Sequence, residues 1–283
     1  IRGLKIYSID DISKVIDKYK VDEVLIAMPS VSRSLKASII NEIESYSVVV
    51  KILPGVSELA EGKVSISDLR EVSMEDLLGR GSVAPNTKLL GKNITDKVVI
   101  VTGAGGSIGW ELCRQSTVFQ PKALILYEVR EIAVAHIDNE LSNNNEKKVH
   151  IYPILGSVNN QERLRNIFQS FGVDTIYHAA AYKHVPIVEF NNTEGVLNNV
   201  FGTLNCAKAA ISEGVDTFVM ISTDKAVKPT NTMGATKRLA ELLLQALSKN
   251  DIKTKISIVR FGNVLGSSGS VIPLFKKQIK EGG

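Results

Sequence analysis

Between the apolar stretch Val98 to Val101 and a helical pattern further on lies the run Thr102-Gly103-Ala104-Gly105-Gly106-Ser107-Ile108-Gly109. Glycines at a strand end let the backbone turn sharply and approach a pyrophosphate, whose charge then rests on the N-terminus of the next helix. The mechanism demands strand, loop and helix in that order. It therefore predicts a parallel α/β domain, and excludes an all-helical or all-β chain.

The rest of the C-terminal part agrees. Strands are predicted at Val98 to Val101, Leu124 to Tyr127, Val149 to Ile154, Thr175 to His178, Phe218 to Ile221 and Ile256 to Arg260. Helical spacing intervenes, as in Leu164, Ile167, Phe168 and Phe171. Six strands with intervening helices imply a doubly wound parallel (Rossmann) sheet. Long helices are predicted over Thr193 to Glu213 and Gly234 to Leu247.

Upstream the pattern is shorter. Leu4 to Tyr7, Val24 to Ala27 and Val48 to Leu53 read as strands. Asp10 or Asp11 caps a helix with Ile12, Val15, Ile16 and Tyr19 on one face, and Leu35, Ile39, Ile40 and Ile43 mark another. This βαβαβ order predicts a small parallel sheet in residues 1–55, a regulatory or packing module. Residues 56–96 hold turn formers such as Gly79, Gly81, Pro85-Asn86 and Gly91, a linker that packs on the next domain, with Met74 to Leu78 as a short helix. Residues 97–283 form the cofactor-binding catalytic domain. At roughly 150 residues per domain, a chain of 283 accommodates this division.

Composition removes several classes. With 44% hydrophobic and 23% charged residues, the chain is neither disordered nor a fibrous repeat. A net charge of +4 is too small to argue for a nucleic-acid partner. Cys113 and Cys206 are isolated and the four histidines scattered, so no metal-ligand spacing exists. No apolar run approaches the about 18 residues of a membrane span, and there is no signal peptide. Because the chain begins at Ile1 and stops at Gly283, the expectation is a fragment truncated at both ends.

Glu128 follows the second strand of the larger domain, where an acidic residue binds the adenosine ribose. Its carboxylate would repel a 2′-phosphate, which favours NAD over NADP. Arg130 is a counter-signal, since an arginine there accepts that phosphate. The fifth strand runs into Ser222-Thr223-Asp224-Lys225, an acid beside a base. Thr223 and Asp224 also suit a polar cap of the strand end. Further on stands Met233-Gly234-Ala235-Thr236-Lys237. Short-chain dehydrogenases place Tyr-x-x-x-Lys here, with the lysine lowering the tyrosine pKa. Met233 cannot move a proton, which argues against carbonyl reduction through a phenolate. Gly103, Gly106 and Gly109 fit the TGxxGxxG spacing of the same enzymes.

The runs His178-Ala179-Ala180-Ala181-Tyr182-Lys183-His184-Val185-Pro186, Ser222 to Lys225, Met233 to Arg238 and Arg260-Phe261-Gly262-Asn263-Val264 together resemble one family. It is the CapD-like polysaccharide biosynthesis proteins, extended short-chain dehydrogenases that include UDP-N-acetylglucosamine 4,6-dehydratases. The resemblance covers essentially all of 97–283. Residues 1–96 resemble the module that precedes the catalytic domain in the long, membrane-anchored branch, which also carries methionine in place of tyrosine.

The resemblance implies an NAD-dependent lyase acting on a UDP-N-acetylhexosamine for bacterial surface glycans. Hydride leaves C4, the resulting ketone acidifies C5, water is lost from C6, and the hydride returns to C6. Asp224 is then the acid at C6 and Lys225 the base at C5, which asks for a raised aspartic pKa and a lowered lysine pKa. Thr223 holds the 4-hydroxyl, Met233 is positional, and Lys237 holds the nicotinamide ribose. Gly103, Gly106, Ser107, Ile108, Gly109, Glu128, Arg130, Ala179, Ala180, Ala181 and Lys237 surround the cofactor. Lys183 and His184 are substrate contacts or structural, and Asn263 meets the UDP moiety or is a turn residue. The same resemblance implies a homodimer through the two long helices. It also implies a full-length protein on the cytoplasmic side of the inner membrane, anchored through segments this chain lacks. A nucleotide-sugar epimerase and an inactive cofactor-binding scaffold are the competing readings.

Overall fold

The computed structural model describes residues 5–8, 11–28, 31, 33–43, 46, 48–53, 70–71, 84–143, 149–264, 275 and 278. The chain divides into two compact units, Ile1–Ala84 and Pro85–Gly283.

In the first unit, helix α1 (Ile12–Tyr19) precedes strand β1 (Glu23–Ile26), and helix α2 (Arg33–Ile43) precedes strand β2 (Val49–Ile52). Asp11 sits at the N-cap position of α1, but its carboxylate takes Lys14 at 2.8 Å instead of a helix amide. Strands β1 and β2 are parallel, whereas β3 (Arg70–Glu71) runs antiparallel to β2, so the sheet is mixed where a parallel one was expected. Ile26, Ile40 and Ile52 form its core. The expected strand from Leu4 is absent over residues 5–7, which make no ladder among the described residues. Tyr7 is held instead by its side chain, whose hydroxyl meets that of Tyr19 at 2.6 Å. Leu4, the turn residues Gly79 and Gly81, and the Met74 to Leu78 helix lie outside the described residues.

The second unit opens with helix α3 (Thr87–Gly91), whose first turn is capped by Asn86 accepting from the Leu89 amide at 3.2 Å. Six strands follow: β4 (Val98–Thr102), β5 (Ala123–Glu128), β6 (His150–Leu155), β7 (Thr175–His178), β8 (Thr217–Thr223) and β9 (Lys255–Phe261). All are parallel, in the order β6-β5-β4-β7-β8-β9. Every residue of β4 and β5 is buried, as a central parallel strand covered on both faces requires. Alternation sends Ile100 and Ile125 to one core, with Phe168, Ile176 and Phe218. It sends Val99, Val101, Leu124 and Leu126 to the other, with Ile137. Each such side chain contributes about 1.5–3 kcal/mol on burial.

Helices α4 (Ser107–Val118), α5 (Glu131–Asn143) and α6 (Gln161–Phe171) connect the first strands. After β7 come α7 (Val185–Phe190) and α8 (Asn192–Val196), a π-helical turn Leu197–Phe201, and α9 (Gly202–Ser212). The single helix expected over Thr193 to Glu213 is thus interrupted by the π turn. Finally α10 (Thr232–Leu247) starts where Asn231 accepts from the Gly234 amide at 2.8 Å. The strand order reverses between β4 and β7, which opens a crevice at their C-terminal ends, the usual ligand position in such sheets.

Candidate active site

The glycine-rich loop occupies that switch point. Gly103 has a φ of +70°, accessible cheaply to glycine, and a Cβ there would lie 2.6 Å from the Ala180 amide nitrogen. A Cβ on Gly109 would overlap the Gly103 carbonyl oxygen. These two glycines therefore let the loop after β4 fold onto the start of α4 and onto the loop after β7. Gly106 is the N-cap of α4 and no side chain caps that terminus. A helix N-terminus beside a tight glycine loop is an anion cradle, so the residues present fit a dinucleotide.

Glu128, buried at the end of β5, accepts from the Gly105 amide at 3.0 Å and from the Val129 and Arg130 amides at 3.1 Å. The Arg130 side chain reaches back to Glu128 Oε1 at 3.3 Å and to the Gly105 carbonyl at 3.0 Å. The carboxylate thus ties the cofactor loop to the β5 end.

Behind the loop runs a buried chain of hydroxyls and one imidazole. Thr203 donates to the Asn199 carbonyl at 2.7 Å, so it accepts from His178 Nε2 at 2.9 Å; Nδ1 is left to accept from the Thr102 hydroxyl at 2.8 Å. Burial, with a smaller contribution from Lys237, pushes His178 down to about 3, which keeps it neutral as this chain requires. Asn199, on the π turn, accepts from the Tyr182 amide at 2.8 Å and donates to the Tyr182 carbonyl at 3.0 Å and to Thr236 Oγ1 at 3.1 Å. It clamps the loop after β7 to α10. A π turn turns a side chain inward that a regular helix would point elsewhere.

The catalytic candidates gather at the end of β8. Residues Asp224–Ala226 form a 3₁₀ turn in which Thr223 Oγ1 accepts from the Lys225 amide at 3.3 Å and donates to Asp224 Oδ1 at 2.9 Å. Thr223 therefore does cap the strand end, and it does so beside the candidate acid and base. Lys225 Nζ lies 3.2 Å from Asp224 Oδ1 and 3.1 Å from Asn263 Oδ1. Hydrogen bonds from Thr223 and then Lys225 hold the Asp224 carboxyl below its ordinary range. This reverses the raised value expected of an acid: at this exposed position, the neighbouring donors favour the charged form.

Helix α10 completes the site. A Cβ on Gly234 would overlap the Lys225 carbonyl, so this glycine seats the helix against the 3₁₀ turn. Glu189 on α7 accepts from the Thr232 amide at 2.6 Å and its hydroxyl at 2.7 Å, fixing the N-terminus of α10. Met233 and Lys237 are both buried. Burial, partly offset by Glu241, pushes Lys237 down to about 8. Glu241 is fully buried beneath, accepting from Ser222 Oγ at 2.6 Å, Arg260 Nε at 2.8 Å and Arg238 at 3.1 Å. Burial drives its pKa up, but Arg260, Ser222 and Arg238 outweigh that and hold it at about 2.

Lys183 and His184 are exposed on the loop leading into α7. Ala179 bonds through its amide to the Thr102 carbonyl at 3.0 Å, and Ala180 packs against Gly103. Sequence reasoning assigned no role to Asn199, Glu189, Glu241 or the His178 chain. The available signal was weak: two consecutive asparagines in a helical stretch, and a glutamate one turn beyond Lys237. Among the described residues, no group of histidine, cysteine, aspartate and glutamate is placed to hold a metal ion. No helix among them is long and apolar enough to cross a membrane.

Residues 99–283 match the family described as polysaccharide biosynthesis protein. Over 275 residues the chain is 42% identical to the capsular polysaccharide biosynthesis protein CapD of Staphylococcus aureus, covering 97% of this chain and 46% of that protein. A UDP-glucose 4-epimerase of Rickettsia typhi is 37% identical over 194 residues, 66% of this chain and 54% of the epimerase. Among solved structures, Pen from Bacillus thuringiensis superposes with a TM-score of 0.62 at 37% identity, covering 67% of this chain and 59% of that one. The chain spans about half the length of the curated relatives it matches.

Proposed function

The chain belongs to the polysaccharide biosynthesis protein family, of the extended short-chain dehydrogenase type, and from that premise we propose that it carries the active site of a nucleotide-sugar 4,6-dehydratase. The substrate is a UDP-N-acetylhexosamine, UDP-N-acetylglucosamine by preference, and the product its 4-keto-6-deoxy form. The observation that carries the reading is the Asp224–Lys225 pair at the C-terminal end of β8, because elimination needs an acid and a base side by side.

Bound in the glycine cradle, NAD supplies the hydride acceptor for C4 and the donor for C6. The residues around it bind and orient. The α4 N-terminus takes the pyrophosphate, Glu128 faces the ribose and disfavours a 2′-phosphate, and Lys237 holds the second ribose. The proton work falls to the pair. At rest it is an ion pair, carboxylate and ammonium, 3.2 Å apart. One proton passing from Lys225 to Asp224 yields a neutral amine and a neutral acid, a form favoured when substrate displaces water. The amine then takes the C5 proton while the acid protonates the departing C6 hydroxyl. Water leaves and the ion pair is regenerated; when hydride reaches C6 the Lys225 ammonium returns its proton to C5, and the proton shed by the C4 hydroxyl on oxidation restores the ammonium, so the count closes.

A second reading, nucleotide-sugar epimerisation, is favoured by the likeness to the epimerase of Rickettsia typhi. Incubation with UDP-N-acetylglucosamine and NAD followed by mass spectrometry separates the two. A product lighter by one water supports dehydration; an isomer of unchanged mass supports epimerisation and sinks the leading reading. A homodimer belongs to this proposal, supported by Leu197, Phe201, Leu239 and Leu242, exposed on the π turn and on α10.

A further inference from the structure

We propose that Asn263, just beyond the end of β9, is a positioning residue whose side-chain oxygen aims the Lys225 amine and keeps it from closing fully onto Asp224. The inference rests on the reading of Lys225 as the base. A lysine ammonium only donates, through three N–H groups on a long flexible stem. One bond goes to Asp224 Oδ1 at 3.2 Å and one to Asn263 Oδ1 at 3.1 Å, which leaves the third for substrate.

The two partners differ in kind. Asp224 is the adjacent residue and moves with the same 3₁₀ turn. Asn263 comes from 38 residues away, two residues beyond the end of the strand that pairs with β8 as far as Phe261, so it is set by a different element. Its backbone passes close by: a Cβ on Gly262 would lie 3.5 Å from Asp224 Oδ2, ordinary contact distance. Charge is the second difference. An amide oxygen accepts as well as a carboxylate oxygen but adds no negative charge. It therefore directs the amine without locking it in the ammonium form, which a second carboxylate would do.

Among the described residues, the charged groups near this turn come from three elements. Asp224 lies on its own turn. From β9 comes Arg260, committed to Glu241, and from α10 come Lys237 and Glu241, with Glu241 itself bonded to Ser222, Arg238 and Arg260. Asp224 is thus the charged partner bonded to this amine, and position 263 is where a second would act.

Three variants test this: Asn263→Asp, Asn263→Ala and, as control, Lys225→Ala. In the protein without substrate, NMR of ¹³Cε-labelled lysine follows the Lys225 titration. Asn263→Asp is expected to raise its midpoint by about one unit or more. In turnover, the alkaline limb of the kcat–pH profile, where the pair loses its shared proton, should move upward with it, while Asn263→Ala lowers kcat about tenfold with KM changed less than about threefold. An unmoved Lys225 midpoint in Asn263→Asp, or a large KM rise in Asn263→Ala with kcat and profile intact, overturns the proposal and leaves Asn263 a substrate contact. If Lys225→Ala turns over normally, it is the underlying reading of Lys225 as base that fails. The NMR result stands apart from that outcome.

Discussion

Two clusters of opposite charge hang from the same pair of strands, and they behave differently. At the tip of β8, Asp224 and Lys225 form an ion pair whose members stay partly exposed, their side chains 55% and 35% accessible. Beneath it Glu241 meets Arg260, Arg238 and Ser222 with its own side chain fully buried. The chemistry of the groups is nearly the same; burial separates their tasks. A buried carboxylate saturated by donors is permanently charged and holds β8, β9 and α10 together. The exposed pair lies open to solvent at the strand end, where the proposed proton transfer would take place.

The sharpest way to break this contrast is to neutralise each cluster in turn. Asp224→Asn and Lys225→Ala should each lower kcat about 10²–10⁴-fold, the usual range for lost acid or base catalysis. Near-normal turnover in both would put the chemistry elsewhere.

Removing Glu241 should act on stability. Glu241→Ala leaves Arg260 and Arg238 unpaired, and is expected to destabilise by about 3 kcal/mol, since both arginines still reach water. Thermal unfolding by circular dichroism checks it. The pH dependence sharpens it further. An unfolded glutamate titrates near 4.3, and Glu241 in the fold near 2. Between those values the unfolded state binds more protons, so stability falls as pH falls. The stability gap between wild type and Glu241→Gln should therefore be full above about pH 5 and vanish towards pH 2.

Gly234→Ala comes next. An alanine favours helix by about 1 kcal/mol, yet its methyl would strike the backbone carbonyl of Lys225, which cannot swing away. The expected net loss is about 1–2 kcal/mol with a drop in kcat, because the 3₁₀ turn must shift. A stabilised, fully active variant would show that α10 does not seat the pair. The smallest effect is the other half of the contrast: Asp224→Asn should change stability by less than about 1 kcal/mol, as exposed pairs do. A large loss there would make the upper cluster structural too.

How much of this could be read in advance follows from distance along the chain. All six strands of the larger unit were predicted, because each is a short local cluster of β-branched, aromatic or other apolar residues between helical patterns. In the first unit the runs are shorter and the misreadings cluster. Residues 5–7 look like a strand but use the Tyr7 side chain, and β3 is only two residues long. The π turn was hard to read because Asn198-Asn199 is a weak signal inside an otherwise helical pattern. Asn199 turns inward there only because Tyr182 and Thr236 stand opposite it.

The sequence alone determined the doubly wound sheet, the glycine loop at its switch point and the residue types that carry the chemistry, since each depends on near neighbours and fixed periods. Tertiary structure decided which charges are permanent and which are free to change. His178 is neutral because the fold buries it, with Lys237 adding to the effect, while Thr102 and Thr203, 76 and 25 residues away, complete its hydrogen bonds. Asp224 is ionised because Thr223 and Lys225 donate to it at an exposed strand end. Solvation and partners set a proton's affinity, and both belong to the folded surface around a residue.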